Sequence, residues 1–205
     1  LKGLKDRLGE TIHAGSYHCE RAKKYIKSND NPEFTYAADG SSHLIQIDKS
    51  KEKKIFKITV TFEQLGFISA NLKMLVNNGV LKPDYKWSWI VSIYDLMIFA
   101  DLMDGEDQFI EYLTHRLELY DRDDIRFFDE IDLLEYFLEN DFPIPNQEEN
   151  KVLLIDGGSK KIDEYFGKKG LGFPMNPKPV KLRTEPTLNK RKAELPKINS
   201  SKRNK

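Results

Sequence analysis

One cysteine in 205 residues, Cys19, excludes an internal disulfide and with it a secreted, disulfide-framed fold. No apolar run approaches the roughly 18 residues that a membrane-spanning helix requires. The opening LKGLKDRLGE carries charge and no apolar stretch, so it does not read as a secretory signal. Four histidines and the lone cysteine are scattered without zinc-type spacing, and no metal site is read from them. Together these absences point to a cytoplasmic location and no membrane partner. A net charge of one sign is missing too, since 33 Lys and Arg balance 33 Asp and Glu.

That balance hides an asymmetry. From Pro177 to Lys205 there are ten Lys or Arg against two Glu, a net of +8, so residues 1–176 carry −8. Pro177, Pro179, Pro186 and Pro196 interrupt this segment, and few apolar residues are left to offset the entropy of ordering it. Residues 177–205 therefore read as a disordered basic tail.

The remainder reads as α+β: short, mostly antiparallel strands packed with a helix in the N-terminal part, then a helical region. Residues 1–28 read as helix with a break near Gly15 and an apolar stripe of Ala22, Tyr25 and Ile26, ended by Ser28-Asn29-Asp30-Asn31-Pro32. Strand-like runs follow at Phe34–Ala38, Leu44–Asp48 and Ile55–Phe62, the first two separated by Asp39-Gly40-Ser41-Ser42. In the third, Ile55, Lys57, Thr59 and Thr61 alternate with Phe56, Ile58, Val60 and Phe62. Ile68–Asn78 reads as helix capped at Asn78-Gly79. After the short apolar run Trp87–Val91, Ser92 and Asp95 have capping-box spacing, with Ile93, Leu96, Met97 and Ala100 expected inward. Residues 106–120 bury Phe109, Tyr112, Leu113 and Leu117; residues 129–140 bury Ile131, Leu134, Phe137 and Leu138; a last helix covers Lys160–Lys168. The expected organisation is a strand-containing part over 1–80, a helical region over 81–176 and the tail over 177–205.

Several constellations invite chemistry. Asp121-Arg122-Asp123-Asp124 and Asp129-Glu130-Ile131-Asp132 cluster oxygens that a divalent cation favours, but Asp129 and Glu130 also stand where a helix N-terminus wants negative charge. His18 and Cys19 are helix neighbours whose side chains diverge, which disfavours thiol catalysis. Gly157-Gly158-Ser159-Lys160 follows the apolar run Val152–Ile155 in the order of a phosphate cradle, with the wrong spacing for a P-loop. Lys190, Arg191, Lys192, Lys202 and Arg203 are the candidate nucleic-acid contacts, able to neutralise phosphates without reading sequence. Trp87 and Trp89, near Lys82 and Lys86, read as core before they read as base-stacking platforms.

Three stretches together resemble a known family: His18-Cys19-Glu20-Arg21-Ala22-Lys23-Lys24-Tyr25-Ile26, the run Ile55–Phe62 into Glu63-Gln64-Leu65-Gly66, and Trp89–Leu96. Phe109–Arg116 and Asp129–Leu134 continue the series. Over roughly residues 10–170 the chain resembles the C-terminal portion of bacterial proteins with a PD-(D/E)XK, restriction-endonuclease-like region. The resemblance implies a nuclease-related protein in which strand carboxylates hold Mg²⁺ and a lysine helps activate water, with a helix like 15–28 following them. The motif itself is not matched: Glu52-Lys53-Lys54 precedes its strand, and Asp48 lacks a Lys two residues on. Asp48, Glu52 and Lys54 stand as the catalytic candidates. Two readings follow, either the remainder of a nuclease whose catalytic half lies elsewhere, or a non-enzymatic adaptor that binds a protein partner through the helical region.

Overall fold

A computed structural model describes residues 2–51, 54–82, 87–140, 142–149, 151–157, 159–171 and 177–181. The architecture is α+β, as expected. Helix α1 (Lys2–Leu8) passes through a π-helical turn, Gly9–His13, into α2 (Ala14–Ser28). The irregularity thus lies before Gly15. Gly15 is a point of close approach instead: a Cβ there would lie 2.4 Å from Cγ2 of Thr59.

Strands β1 (Glu33–Ala38) and β2 (Ser41–Gln46) form an antiparallel hairpin, with Tyr36 opposite His43 and Ala38 opposite Ser41. Asp39 (φ 51°) and Gly40 (φ 73°) fill its two-residue turn, which requires positive φ at both positions. Only this pair is antiparallel among the described residues. β3 (Ile58–Thr61) pairs parallel with β4 (Trp89–Ser92), and β5 (Ile125–Phe127) pairs parallel with β6 (Leu153–Ile155). The reason is the connection: a parallel pair needs a long crossover. Here α3 (Phe67–Ala70) and α4 (Leu72–Asn77) lie between β3 and β4, and α7 (Glu130–Glu139) between β5 and β6.

β4 is buried on both faces. Trp89 and Val91 enter a core with Phe99, Tyr112, Leu134 and Phe137, whereas Ile90 enters a second with Ile12, Leu72, Leu75 and Tyr120. This explains why Trp87–Val91 reads as a continuous apolar run without alternation. Around the strands lie α5 (Ile93–Leu102), α6 (Glu106–Glu118) and α8 (Lys160–Leu171). The α6 face holds as expected, except that Arg116 joins its buried side, whereas α7 buries Glu130, Asp132, Leu133 and Glu135 besides the four expected residues. Helix α5 corrects an expectation. Phe99 and Leu102 are its buried residues, while Met97 is 65% exposed and Ala100 also faces solvent. A helix that is apolar nearly all round gives periodicity no purchase, so packing chooses the inward face.

Local signals in the sequence are realised where they are short-range. Ser92 Oγ accepts from Asp95 N at 3.0 Å, and Asp129 Oδ1 accepts from Ile131 N and Asp132 N at 2.9 Å. Gly79, at φ 65°, ends α4 as Val80 N donates to Leu75 O at 2.8 Å. Among the described residues no helix is long and apolar enough to cross a membrane.

Candidate nucleic-acid interface

Helix α2 has two chemically distinct sides. Inward, Gly15 lets the helix approach β3, Ser16 is buried, and Cys19 Sγ donates to Ile58 O at 3.4 Å. Glu20, the sole acid of α2, also turns to this side and takes Lys57 at 3.0 Å. That contact draws the Glu20 carboxyl below its ordinary value. Thr59 faces the helix and meets Ser88 Oγ at 3.2 Å.

The outward stripe is therefore left without an acid. Tyr17, His18, Arg21, Lys24, Tyr25 and Ser28 are all exposed at i, i+3, i+4, i+7 spacing. Among the described residues no carboxylate pairs with Arg21, Lys24 or Lys27. The Arg21 guanidinium lies 5.8 Å from the Tyr17 ring. Tyr25 ties the helix to the hairpin: its hydroxyl donates to Glu33 O at 3.2 Å, and its ring meets Phe34 edge-on at 5.4 Å. On the hairpin, Tyr36 and His43 stack at 5.2 Å. Lys49 Nζ donates to Lys27 O at 3.1 Å, which adds a cation at the C-terminal end of α2, where the helix dipole favours one. Charge is divided to match. Residues 1–57 hold twelve Lys or Arg against eight Asp or Glu, a net of +4, whereas residues 58–176 hold eleven against twenty-three, a net of −12.

This surface was not read from the sequence, where the tail drew attention as the densest run of positive charge. The signal was present in the spacing of Tyr17, Arg21, Lys24 and Tyr25, once Glu20 is turned inward. The five tail candidates, Lys190, Arg191, Lys192, Lys202 and Arg203, lie outside the described residues, as does Glu52.

The other catalytic candidates are held by local structure. Asp48 Oδ1 accepts from Ser50 N at 3.0 Å and from Ser50 Oγ at 2.6 Å, and its Oδ2 meets Lys51 Nζ at 3.2 Å. The Ser50 contacts, then Lys51, lower its pKa. It caps a turn. Lys54 Nζ donates to Thr114 Oγ1 at 2.9 Å and sits 4.8 Å from the Phe56 ring. Asp48 and Lys54 thus have separate partners.

The acidic clusters are likewise engaged. Asp123 pairs with Lys73 at 2.6 Å, and Asp124 takes Arg122 at 2.5 and 2.8 Å and Gln147 N at 2.9 Å. Arg122 above all, then the Gln147 amide, holds the Asp124 carboxyl far below the usual carboxylate range. Glu130 is buried against Arg116, with Nη2 to Oε1 at 2.6 Å and Nε to Oε1 at 2.9 Å. Its Oε2 accepts from Trp89 Nε1 at 3.0 Å and from the Tyr112 hydroxyl at 2.9 Å. Burial, and after it the Glu130 charge, pushes the Tyr112 hydroxyl well above 10.0. Burial alone lowers the Arg116 pKa; the Glu130 charge outweighs it and leaves the guanidinium above its ordinary value. Arg116 also lies 4.2 Å from the Tyr120 ring and 4.9 Å from the Phe127 ring. Of the two tryptophans, Trp89 is core and Trp87 stacks on Tyr120 at 5.3 Å. Among the described residues no three His, Cys, Asp or Glu side chains converge as a metal set.

At the N-terminus of α8, where a phosphate cradle was considered, two carboxylates of α7 take the amides. Ser159 N donates to Asp132 at 3.1 Å; Lys161 N and Ile162 N each donate to Glu135 at 3.0 Å. Burial nevertheless raises the Glu135 pKa.

Comparison with protein-family models, with curated proteins and with solved structures finds no match to this chain.

Proposed function

We propose that this chain is a nucleic-acid-binding accessory part of a nuclease-related bacterial protein, acting in the cytoplasm. Its catalytic residues lie outside these 205 residues or come from another chain. The observation that carries this reading is the acid-free outward face of α2, where Arg21 and Lys24 alternate with Tyr17 and Tyr25. Cations along a helix neutralise phosphates, and exposed aromatic rings accept unstacked bases, so single-stranded nucleic acid is the class this face fits. Helix α2 also carries one of the stretches on which the family resemblance rests, and it packs on β3 through Gly15 and Cys19.

The test is fluorescence anisotropy with a labelled oligothymidylate and a duplex of equal length, across a salt series. Charge reversal in Arg21→Glu/Lys24→Glu should weaken single-strand binding about tenfold or more and reduce the salt slope by about 1.4, two contacts at roughly 0.7 each. Neutralising Lys190, Arg191 and Lys192 should leave that binding unchanged. Wild-type affinity in the α2 variant would sink the reading. Loss of binding only in the tail variant would return the interface to the tail, and tighter duplex binding would change the ligand class. The adaptor reading is favoured by a different observation, the exposed apolar side chains Phe62, Tyr94, Met97 and Phe128. Absence of any nucleic-acid binding would put it first.

A further inference from the structure

The β1–β2 hairpin follows the C-terminal end of α2 and carries rings that continue the α2 face. By alternation along β1, Phe34 and Tyr36 share one side, and register places Ile45 and His43 opposite them on that side. This is the side that meets α2, because the Phe34 ring touches the Tyr25 ring edge-on at 5.4 Å. Arg21 stands one helical turn before Tyr25 and 5.8 Å from the Tyr17 ring. Tyr17, Arg21, Tyr25, Phe34 and Tyr36 therefore form one row, each joined to the next by contact, helical spacing or strand alternation. Tyr36 is 48% exposed and Ile45 49%. His43, also exposed, stacks on Tyr36 at 5.2 Å with the ring planes 25° apart.

Cross-strand pairing of Tyr36 with His43 stabilises the hairpin whatever binds to it. The side they occupy is what points to a ligand. Glu33 is the one acid of the two strands, and alternation sends it to the opposite side with Thr35 and Ala37. Asp39 is confined to the turn. The ring-bearing side is thus as free of acid as the outward stripe of α2, with Arg21 and Lys24 on the helix and Lys49 held at its C-terminal end. Such a surface complements a chain of negative charges that carries flat apolar groups: cations hold the backbone and rings receive the bases. Along β1 the rings stand about 6.6 Å apart, roughly twice the 3.4 Å per nucleotide of a stacked strand. Only an unstacked, extended strand can use them in succession.

We infer that the Tyr36–His43 pair is a base-stacking subsite for a single strand of nucleic acid that runs from the outward face of α2 onto the ring-bearing side of the hairpin. This rests on α2 being a nucleic-acid-binding face. Tyr36 supplies the platform, His43 widens it, and Phe34 bridges from Tyr25 on the helix to the hairpin.

The test is ultraviolet cross-linking of the full chain to an oligothymidylate carrying bromodeoxyuridine, with adducts mapped by mass spectrometry, beside anisotropy on two variants. Wild-type adducts should fall on Tyr36 or His43 as well as on α2. Tyr36→Val removes the ring and keeps a residue that suits a strand. It should weaken oligothymidylate binding about tenfold, within the range of one base–aromatic stack. Tyr36→Phe should bind as wild type, because the face of the ring does the stacking. The wild-type adducts remain readable if Tyr36→Val disturbs the hairpin. Adducts confined to α2, with Tyr36→Val binding as wild type, overturn the subsite and leave the α2 interface standing. Equal losses in Tyr36→Val and Tyr36→Phe also overturn it. No binding by the wild-type protein overturns the subsite and the α2 interface together, and gives the hairpin face to a protein partner.

Discussion

Arg116 and Glu130 form an ion pair with almost no solvent contact, their side chains 0% and 1% exposed. Two guanidinium nitrogens meet the carboxylate, and Trp89 and Tyr112 satisfy its second oxygen. The pair joins α6 to the first turn of α7. Such a pair is costly to desolvate, and its loss on one side leaves the other charge buried without compensation.

Glu130→Gln is therefore expected to destabilise by about 3–5 kcal/mol in urea unfolding. Arg116→Met/Glu130→Leu, which removes both charges, should lose less than either single substitution. A double variant at least as unstable as the singles would show that the pair contributes more than mutual compensation.

Gly15→Ala tests the seat of α2 on β3. Alanine is the better helix former by about 1 kcal/mol, yet its Cβ would lie 2.4 Å from Thr59 Cγ2. Sterics should win, with a net loss of about 1–3 kcal/mol. Thr59→Ser removes that methyl, so Gly15→Ala/Thr59→Ser should recover most of the loss. Recovery by Thr59→Ser is the decisive reading.

Leu134, fully buried on α7 in the larger core, should cost about 2–5 kcal/mol on substitution by Ala. A shift in the urea midpoint at unchanged m-value is the expected form of that loss.

Two carboxylates should respond to acid with opposite signs. Asp124 has a depressed pKa, so the folded state releases its proton more readily than the unfolded chain. Its stabilisation is present above the ordinary carboxylate value of 3.8 and fades as pH falls through its own lower one. Asp95 has a raised pKa, because burial first, and the charges of Asp129 and Glu130 after it, outweigh its Ser92 contact. Its folded form retains a proton longer, so stability is lost as pH rises from 3.8 through the raised value. Asp124→Asn should thus weaken the protein at neutral pH and Asp95→Asn strengthen it. Both differences should shrink in acid, as followed by thermal melts across pH.

Tyr17→Ala and Tyr25→Ala should each weaken oligothymidylate binding by about 1–3 kcal/mol, the worth of one base–aromatic stack. Duplex binding should change less, because its bases stay stacked. Equal losses on both ligands would mean that the tyrosines act through helix geometry.

Much of this was legible because it is local. The Ser92–Asp95 cap, the Asp39-Gly40 turn and the Gly79 stop each depend on residues within a few positions of one another, as do the stripes of α6 and α7. What was hidden depends on distant partners. Nothing near Glu130 in the sequence announces Arg116, so it read as a first-turn acid. The strand β3 alternates as expected, yet Thr59 and Thr61 are buried while Val60 and Phe62 are exposed. The small residues of α2 account for this, since Gly15 and Cys19 leave room for threonines and a buried hydroxyl can find Ser88. The α2 interface escaped notice for a related reason. Glu20 sits among its cations in sequence, and only the contact with Lys57 takes it off the outward face.

The double burial of β4 bears on how the protein comes apart. Trp89 and Val91 serve one cluster and Ile90 the other, so neither cluster can open without withdrawing a wall from its neighbour. The two behave as a single thermodynamic unit: heat should produce one transition, and hydrogen exchange at the β4 amides should report the global opening of the whole fold.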